Sequence, residues 1–172
     1  MIAPDRKANR HLLAAILGVS LLWSPSALSA SNVSLPNFSL TDTQGKEWHL
    51  SEYDGQPKLI MFWATWCEHC KKLFPTIQSL HDRYGSTGLK VVAISVYDDG
   101  NTTEYRARYG LTMDVLNDGD ALVEQLQIPG TPTVIVLDGQ NQIVFGAVSP
   151  DPLDTTLERA IQHHANSEKT TN

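Results

Sequence analysis

Cysteine is scarce in this chain of 172 residues, with only Cys67 and Cys70 present and no further thiol to pair with either. A scaffold stapled by several disulfides is thereby excluded. A structural zinc site normally needs four ligands, and neither a second Cys-x-x-Cys nor a His-x-x-x-His occurs. Asp98-Asp99 and Asp118-Gly119-Asp120 are too sparse for a calcium loop and read as turns and caps. Internal repeats and low-complexity segments are absent. Basic residues are in the minority, 13 against 19 acidic ones, and the formal charge of −6 speaks against nucleic acid as a partner. The apolar run at residues 12–23 falls short of the ~20 residues that span a bilayer.

What is present is one pair at close spacing, Cys67-Glu68-His69-Cys70. Lys58–Trp63 is a short apolar run bounded by Pro57 and the turn-like Tyr53-Asp54-Gly55-Gln56, the pattern of a buried strand. From residue 67 to 84 the apolar positions Leu73, Phe74, Ile77, Leu80 and Tyr84 recur at helical spacing, and Gly85 comes next as the expected stop. Cys67 then lies at a helix N-terminus, where unpaired N–H groups and the helix dipole favour an anion. Cys70 comes one turn later on the same face. Such a setting lowers a cysteine pKa to roughly 3.5–7.5, which makes Cys67 the attacking thiolate and Cys70 the resolving thiol. A static disulfide and half of a zinc site are the plainer alternatives.

Arg6, Lys7 and Arg10 precede the apolar run, and Pro25 to Ala30 supply small residues, so residues 1–30 have the layout of an export signal. Leu28 is bulky for the position two before a cut after Ala30, which leaves an uncleaved membrane tether as the alternative. Without this segment, which carries three basic residues and Asp5, the formal charge moves from −6 to −8. Export places the domain, residues 31–165, in the periplasm or bacterial cell envelope. An idle dithiol would be oxidised there, so a working one needs a partner that supplies or removes electrons.

Elsewhere strand-like and helix-like segments alternate. Residues 38–40 and 47–50 flank Asp42-Thr43-Gln44-Gly45 as a hairpin, and 89–96 reads as a second buried strand. Residues 102–109 suggest a helix ending at Gly110, Val115 and Leu116 a short strand, and 121–126 a short helix. Thr133–Leu137 and residues 143–145 pair across Asp138-Gly139-Gln140-Asn141. Residues 152–164 read as a closing helix and 166–172 as a loose polar tail. The expected class is α/β, a mixed central sheet flanked by helices, with an N-terminal hairpin and a central strand-helix insertion.

Phe62-Trp63-Ala64-Thr65-Trp66-Cys67, Phe74-Pro75, Gly130-Thr131-Pro132-Thr133 and the extra strand and helix between residues 89 and 126 together resemble a thioredoxin-fold protein. The likeness runs from about residue 35 to 164 and is to the TlpA/ResA-like branch of exported thiol-disulfide oxidoreductases, a group that includes the reductants of cytochrome c maturation. The resemblance implies a redox-active Cys67-Cys70 disulfide with no other cofactor and no metal. It also implies a cis Pro132 facing the cysteines, and substrate contacts from Trp66, Thr131 and Pro132. Partners would be cysteine-containing client proteins and a membrane electron donor or acceptor.

Three positions depart from the family pattern. Many cytochrome c maturation members carry Glu where this chain has Leu73 and Asn or Asp where it has Met61, polar groups able to manage the proton of the buried cysteine. Their absence weakens an assignment to apocytochrome reduction. His69 occurs in strongly oxidising relatives, where it favours the first thiolate, while Glu68 opposes it through its charge. A potential more oxidising than that of a Cys-Glu-Pro-Cys relative is therefore expected. Trp63 is expected in the core, and His163-His164 near the end of a helix complement its dipole. Lys71 and Lys72 are expected in solvent, with a secondary role in stabilising the thiolate. The preferred function is a reductase of protein disulfides. A thiol oxidase of the same fold, and a copper(I) chaperone using Cys67, His69 and Cys70, are the alternatives; a peroxidase is weaker, since Cys67 is not a lone peroxidatic cysteine.

Overall fold

The computed structural model describes residues 33–148 together with 159, 161 and 162. The expected leader, nearly all of the closing helix with His163 and His164, and the polar tail lie outside the described residues.

β3 (Lys58–Trp63) is buried along its whole length. It lies mid-sheet, with β4 (Lys90–Ser95) parallel on one side and β6 (Thr133–Leu137) antiparallel on the other. β5 (Asp114–Leu116) adds parallel to β4, and β7 (Ile143–Val148) antiparallel to β6, giving the order β5-β4-β3-β6-β7. β1 (Ser39–Thr41) and β2 (Glu47–His49) form a separate antiparallel hairpin. The mixed sheet with its N-terminal hairpin is the architecture expected from the sequence.

Side chains alternate across a strand, so a strand covered on both faces feeds two cores. Leu59, Met61 and Trp63 join Val91, Ala93, Val134 and Val136 on one face. They pack against Leu73, Phe74, Ile77 and Leu80 of α1 (Glu68–Tyr84) and Tyr105 of α2 (Thr102–Arg108). Ile60 and Phe62 join Val92, Ile94, Ile135 and Leu137 on the other, against Trp48, Leu50 and Leu122 and Val123 of α3 (Asp120–Leu126). A fully buried side chain of this kind contributes about 1.5–3 kcal/mol, so β3, buried along its whole length and paired on both sides, is a firm mount for the Cys67 loop at its C-terminal end. Lys58 opens β3 in a buried position, its ammonium donating to the Gln56 carbonyl at 2.8 Å.

Differences from the expected boundaries have local causes. Leu50 leaves the hairpin to begin a 3₁₀ turn, Leu50–Tyr53. β7 runs on to Val148 because β6 offers partners as far as Thr133. α1 ends at Tyr84 with Gly85 as its C-cap, as expected, but Gly85 keeps helical angles and carries the chain into a second 3₁₀ turn, Gly85–Thr87. The reversal falls at Gly88, whose φ of 107° is open to glycine and costly for other residues. Pro75 sits inside α1, on its exposed side, where its missing N–H removes one bond to the Lys71 carbonyl.

Candidate active site

The chain leaves β3 at Trp63 and reaches Cys67 through Ala64, Thr65 and Trp66. Cys67 is the N-cap of α1, with extended backbone angles, and its Sγ accepts the Cys70 N–H at 3.1 Å. A sulfur thus occupies the place where Ser or Asp usually caps a helix, facing N–H groups that favour negative charge. Cys67 and Cys70 form a disulfide with Cα atoms 5.2 Å apart. Cys67 keeps 5% exposure while Cys70 is fully buried, so the solvent-accessible edge of the bridge belongs to Cys67.

Pro132 lies at the same end of the sheet as this loop. Thr133 pairs with Phe62, so the antiparallel register carries Pro132 level with Trp63, at the end of β3 that leads to Cys67. The Thr131–Pro132 bond is cis, as the resemblance implies. Thr133 Oγ1 donates to the Gly130 carbonyl at 2.6 Å and closes the loop that presents Thr131.

Charges at the start of α1 are already partly matched. Glu68 is ion-paired with Lys71 on the solvent-facing side of the helix. The hydrogen bond and charge of Lys71 hold the Glu68 carboxyl below the usual glutamate range, and the same bond raises Lys71. His69 is exposed. Leu73 and Met61 are buried in the cluster that contains both cysteines, so the surroundings of Cys70 are apolar. Among the described residues no three of His, Cys, Asp and Glu are grouped to hold a metal ion.

Thr65, two before Cys67, is tied down by a side chain that sequence reasoning placed only in a loop. Asp98 accepts the Thr65 N–H and Oγ1–H, both at 2.6 Å, and also Ser95 Oγ–H and Gly100 N–H, both at 3.0 Å. Burial works against the charge of Asp98, but the bonds from Thr65, Gly100 and Ser95 outweigh it and hold the carboxyl below the usual aspartate range. A Cβ at Gly100 would collide with Thr65 Oγ1, so only glycine fits there. The signal in the sequence was Asp-Asp-Gly shortly after the strand beside β3. Trp66 is 58% exposed, and its indole N–H donates to the Tyr97 carbonyl at 3.0 Å. Trp63, by contrast, is fully buried, 4.8 Å from Phe74 and 4.7 Å from Tyr105 between ring centres. Tyr105 fastens α2 beneath the site, and burial together with the charges of Tyr109 and Glu68 pushes its phenol up to about 12.

Known proteins share this fold. The family model described as the AhpC/TSA family matches residues 32–145. The chain belongs to the AhpC/TSA family. A relative of this family member, the thiol-disulfide oxidoreductase ResA of Geobacillus kaustophilus, is 27% identical over 161 residues, covering 89% of this chain and 92% of its own. The Bacillus subtilis protein of the same name is 32% identical over 111 residues, covering 63% of this chain and 62% of its own. Among solved structures, a candidate thiol:disulfide interchange protein DsbE of Chlorobium tepidum superposes with a TM-score of 0.72 at 25% identity, covering 78% of this chain and 96% of its own. A thioredoxin-family interchange protein from the same organism gives 0.70 at 24% identity, covering 79% and 98%. The fold is the thioredoxin fold, and the family placement agrees with the TlpA/ResA-like resemblance.

Proposed function

We propose that this AhpC/TSA family member is an exported thiol-disulfide oxidoreductase that reduces disulfides in client proteins through Cys67 and Cys70. The observation that carries the reading is the Cys67–Cys70 disulfide at the first turn of α1, with Cys67 keeping a small exposed edge and Cys70 sealed. The likeness to proteins named thiol-disulfide oxidoreductases supports the same reaction type.

In the reduced protein the Cys67 thiolate attacks one sulfur of a client disulfide, and the other client sulfur leaves as a thiolate that takes up a proton. Cys70 then loses its proton and attacks Cys67 Sγ, which releases the second client thiol. The client gains two electrons and two protons, and the protein ends in the disulfide form. A membrane electron donor would return it to the dithiol; run backwards, the same steps oxidise clients. The backbone of Thr131 before cis Pro132 would pair with an extended client segment, and Trp66 would border it. His69 favours the Cys67 thiolate and Glu68 opposes it, with Lys71 offsetting Glu68. Residues 1–30 would direct the domain to the periplasm or cell envelope, as a cleaved leader or a tether.

Insulin reduction tests the reading. The native protein turns over with a thiol reductant, Cys67→Ser is inert, and Cys70→Ser accumulates a mixed disulfide with the client. Stoichiometric copper(I) binding without turnover would refute it in favour of the chaperone alternative.

A further inference from the structure

Tyr97 stands out among the described residues because its backbone and its side chain are both unusual. Its φ of 47° lies in the left-handed region, which glycine occupies freely and a tyrosine does not, while its side chain is 53% exposed. Packing therefore gives little reason for an aromatic here. The conformation is enforced from α3, whose Asp120 carboxylate accepts the Tyr97 N–H at 2.6 Å, and from the neighbouring Gly119 N–H, which donates to the Ser95 carbonyl at 2.9 Å. With its N–H held in that direction, Tyr97 turns its carbonyl to the indole N–H of Trp66 at 3.0 Å. Trp66 directly precedes Cys67, and its side chain is exposed to a degree similar to that of Tyr97.

We propose that Tyr97 is a specificity-determining residue: it positions Trp66 and, with it, forms an aromatic surface beside Cys67 that selects client disulfides flanked by aromatic or other bulky apolar residues. This rests on the proposed redox role of Cys67 and Cys70. Backbone strain retained at an exposed aromatic next to a reactive group is the pattern of a functional constraint. Two exposed aromatic side chains, with the indole of one fixed to the backbone carbonyl of the other, offer a preorganised contact for an apolar side chain at little entropic cost to the protein. The inserted segment that carries Asp120 thereby contributes to client choice without touching the cysteines.

The test compares kcat/KM for a disulfide peptide with phenylalanine next to each cysteine against kcat/KM for glutathione disulfide, in native protein, Tyr97→Gly and Tyr97→Phe. Glycine accepts the backbone angles, so the variant folds and keeps the carbonyl while losing the ring. The peptide-to-glutathione ratio falls about fivefold in Tyr97→Gly, the size of one lost aromatic contact, and stays near native in Tyr97→Phe. A purely structural role would lower both substrates together. An unchanged ratio in Tyr97→Gly overturns the role of Tyr97 while leaving the redox pair standing; no turnover of either disulfide by native protein overturns both.

Discussion

Replacing Asp98 by alanine removes the acceptor of four hydrogen bonds, two of them from the residue two before Cys67. A hydrogen bond to a charged group is worth about 1.5–3 kcal/mol when part-buried, but water can reach some of the freed donors. The summed loss for Asp98→Ala is therefore about 2–4 kcal/mol, a large part of the roughly 5–15 kcal/mol that usually holds a domain. Asp98→Asn keeps the shape and one acceptor oxygen but turns an N–H₂ toward donors, so about 1–2 kcal/mol is lost. The native carboxyl titrates below its unfolded value near 3.9, so the stabilisation is complete above that pH and fades as pH falls through the lower folded value. Urea unfolding of the oxidised proteins reads both effects. With slopes of about 1–3 kcal/mol/M, the midpoint of Asp98→Ala drops by about 1–2 M at pH 7. The gap between native protein and Asp98→Asn narrows as pH is lowered from about 5 to about 2. A midpoint change under about 0.3 M for Asp98→Ala, or a gap that is constant with pH, would refute the clamp.

The same geometry sets two further outcomes. Gly100→Ala drives a Cβ into Thr65 and pushes it off Asp98, with an expected loss of about 1–3 kcal/mol in the same unfolding assay; a change within about 0.5 kcal/mol would show that Thr65 moves freely. His69→Pro suits the first turn of α1, where proline costs no helix bond, and removes the residue that favours the Cys67 thiolate. Its potential is expected to fall by roughly 30 mV, a tenfold change in the exchange equilibrium with glutathione, and an unaltered equilibrium would show His69 to be a bystander.

Where local pattern decides the structure, it was readable from the chain. The apolar run at Lys58–Trp63 is buried throughout, and the helical spacing of Leu73, Phe74, Ile77 and Leu80 describes the inner face of α1. Thr131-Pro132 was recognisable as cis by its resemblance to a family motif rather than by any rule about single residues. What escaped depends on contacts between distant residues. Asp98 reads as a turn residue until parallel pairing of β3 with β4 brings it to Thr65, 33 positions away. The pairing of Glu68 with Lys71 is a choice of rotamers on an exposed helix turn, and spacing alone only permits it. Gly85 was legible as the end of α1, but the 3₁₀ turn that carries the chain on to its reversal at Gly88 was not. Tyr97 gives no sign of its left-handed backbone, since that conformation is imposed by Asp120 from another element.

The central claim is that the sulfur capping α1 is stabilised as a thiolate. The pH dependence of iodoacetamide alkylation at Cys67 in the fully reduced protein, monitored by mass spectrometry, tests it directly. The account predicts a midpoint well below the ~8.5 of a free cysteine, with Cys70 unreactive over the same range. A Cys67 midpoint at or above that of free cysteine, or alkylation of Cys70 first, would contradict it.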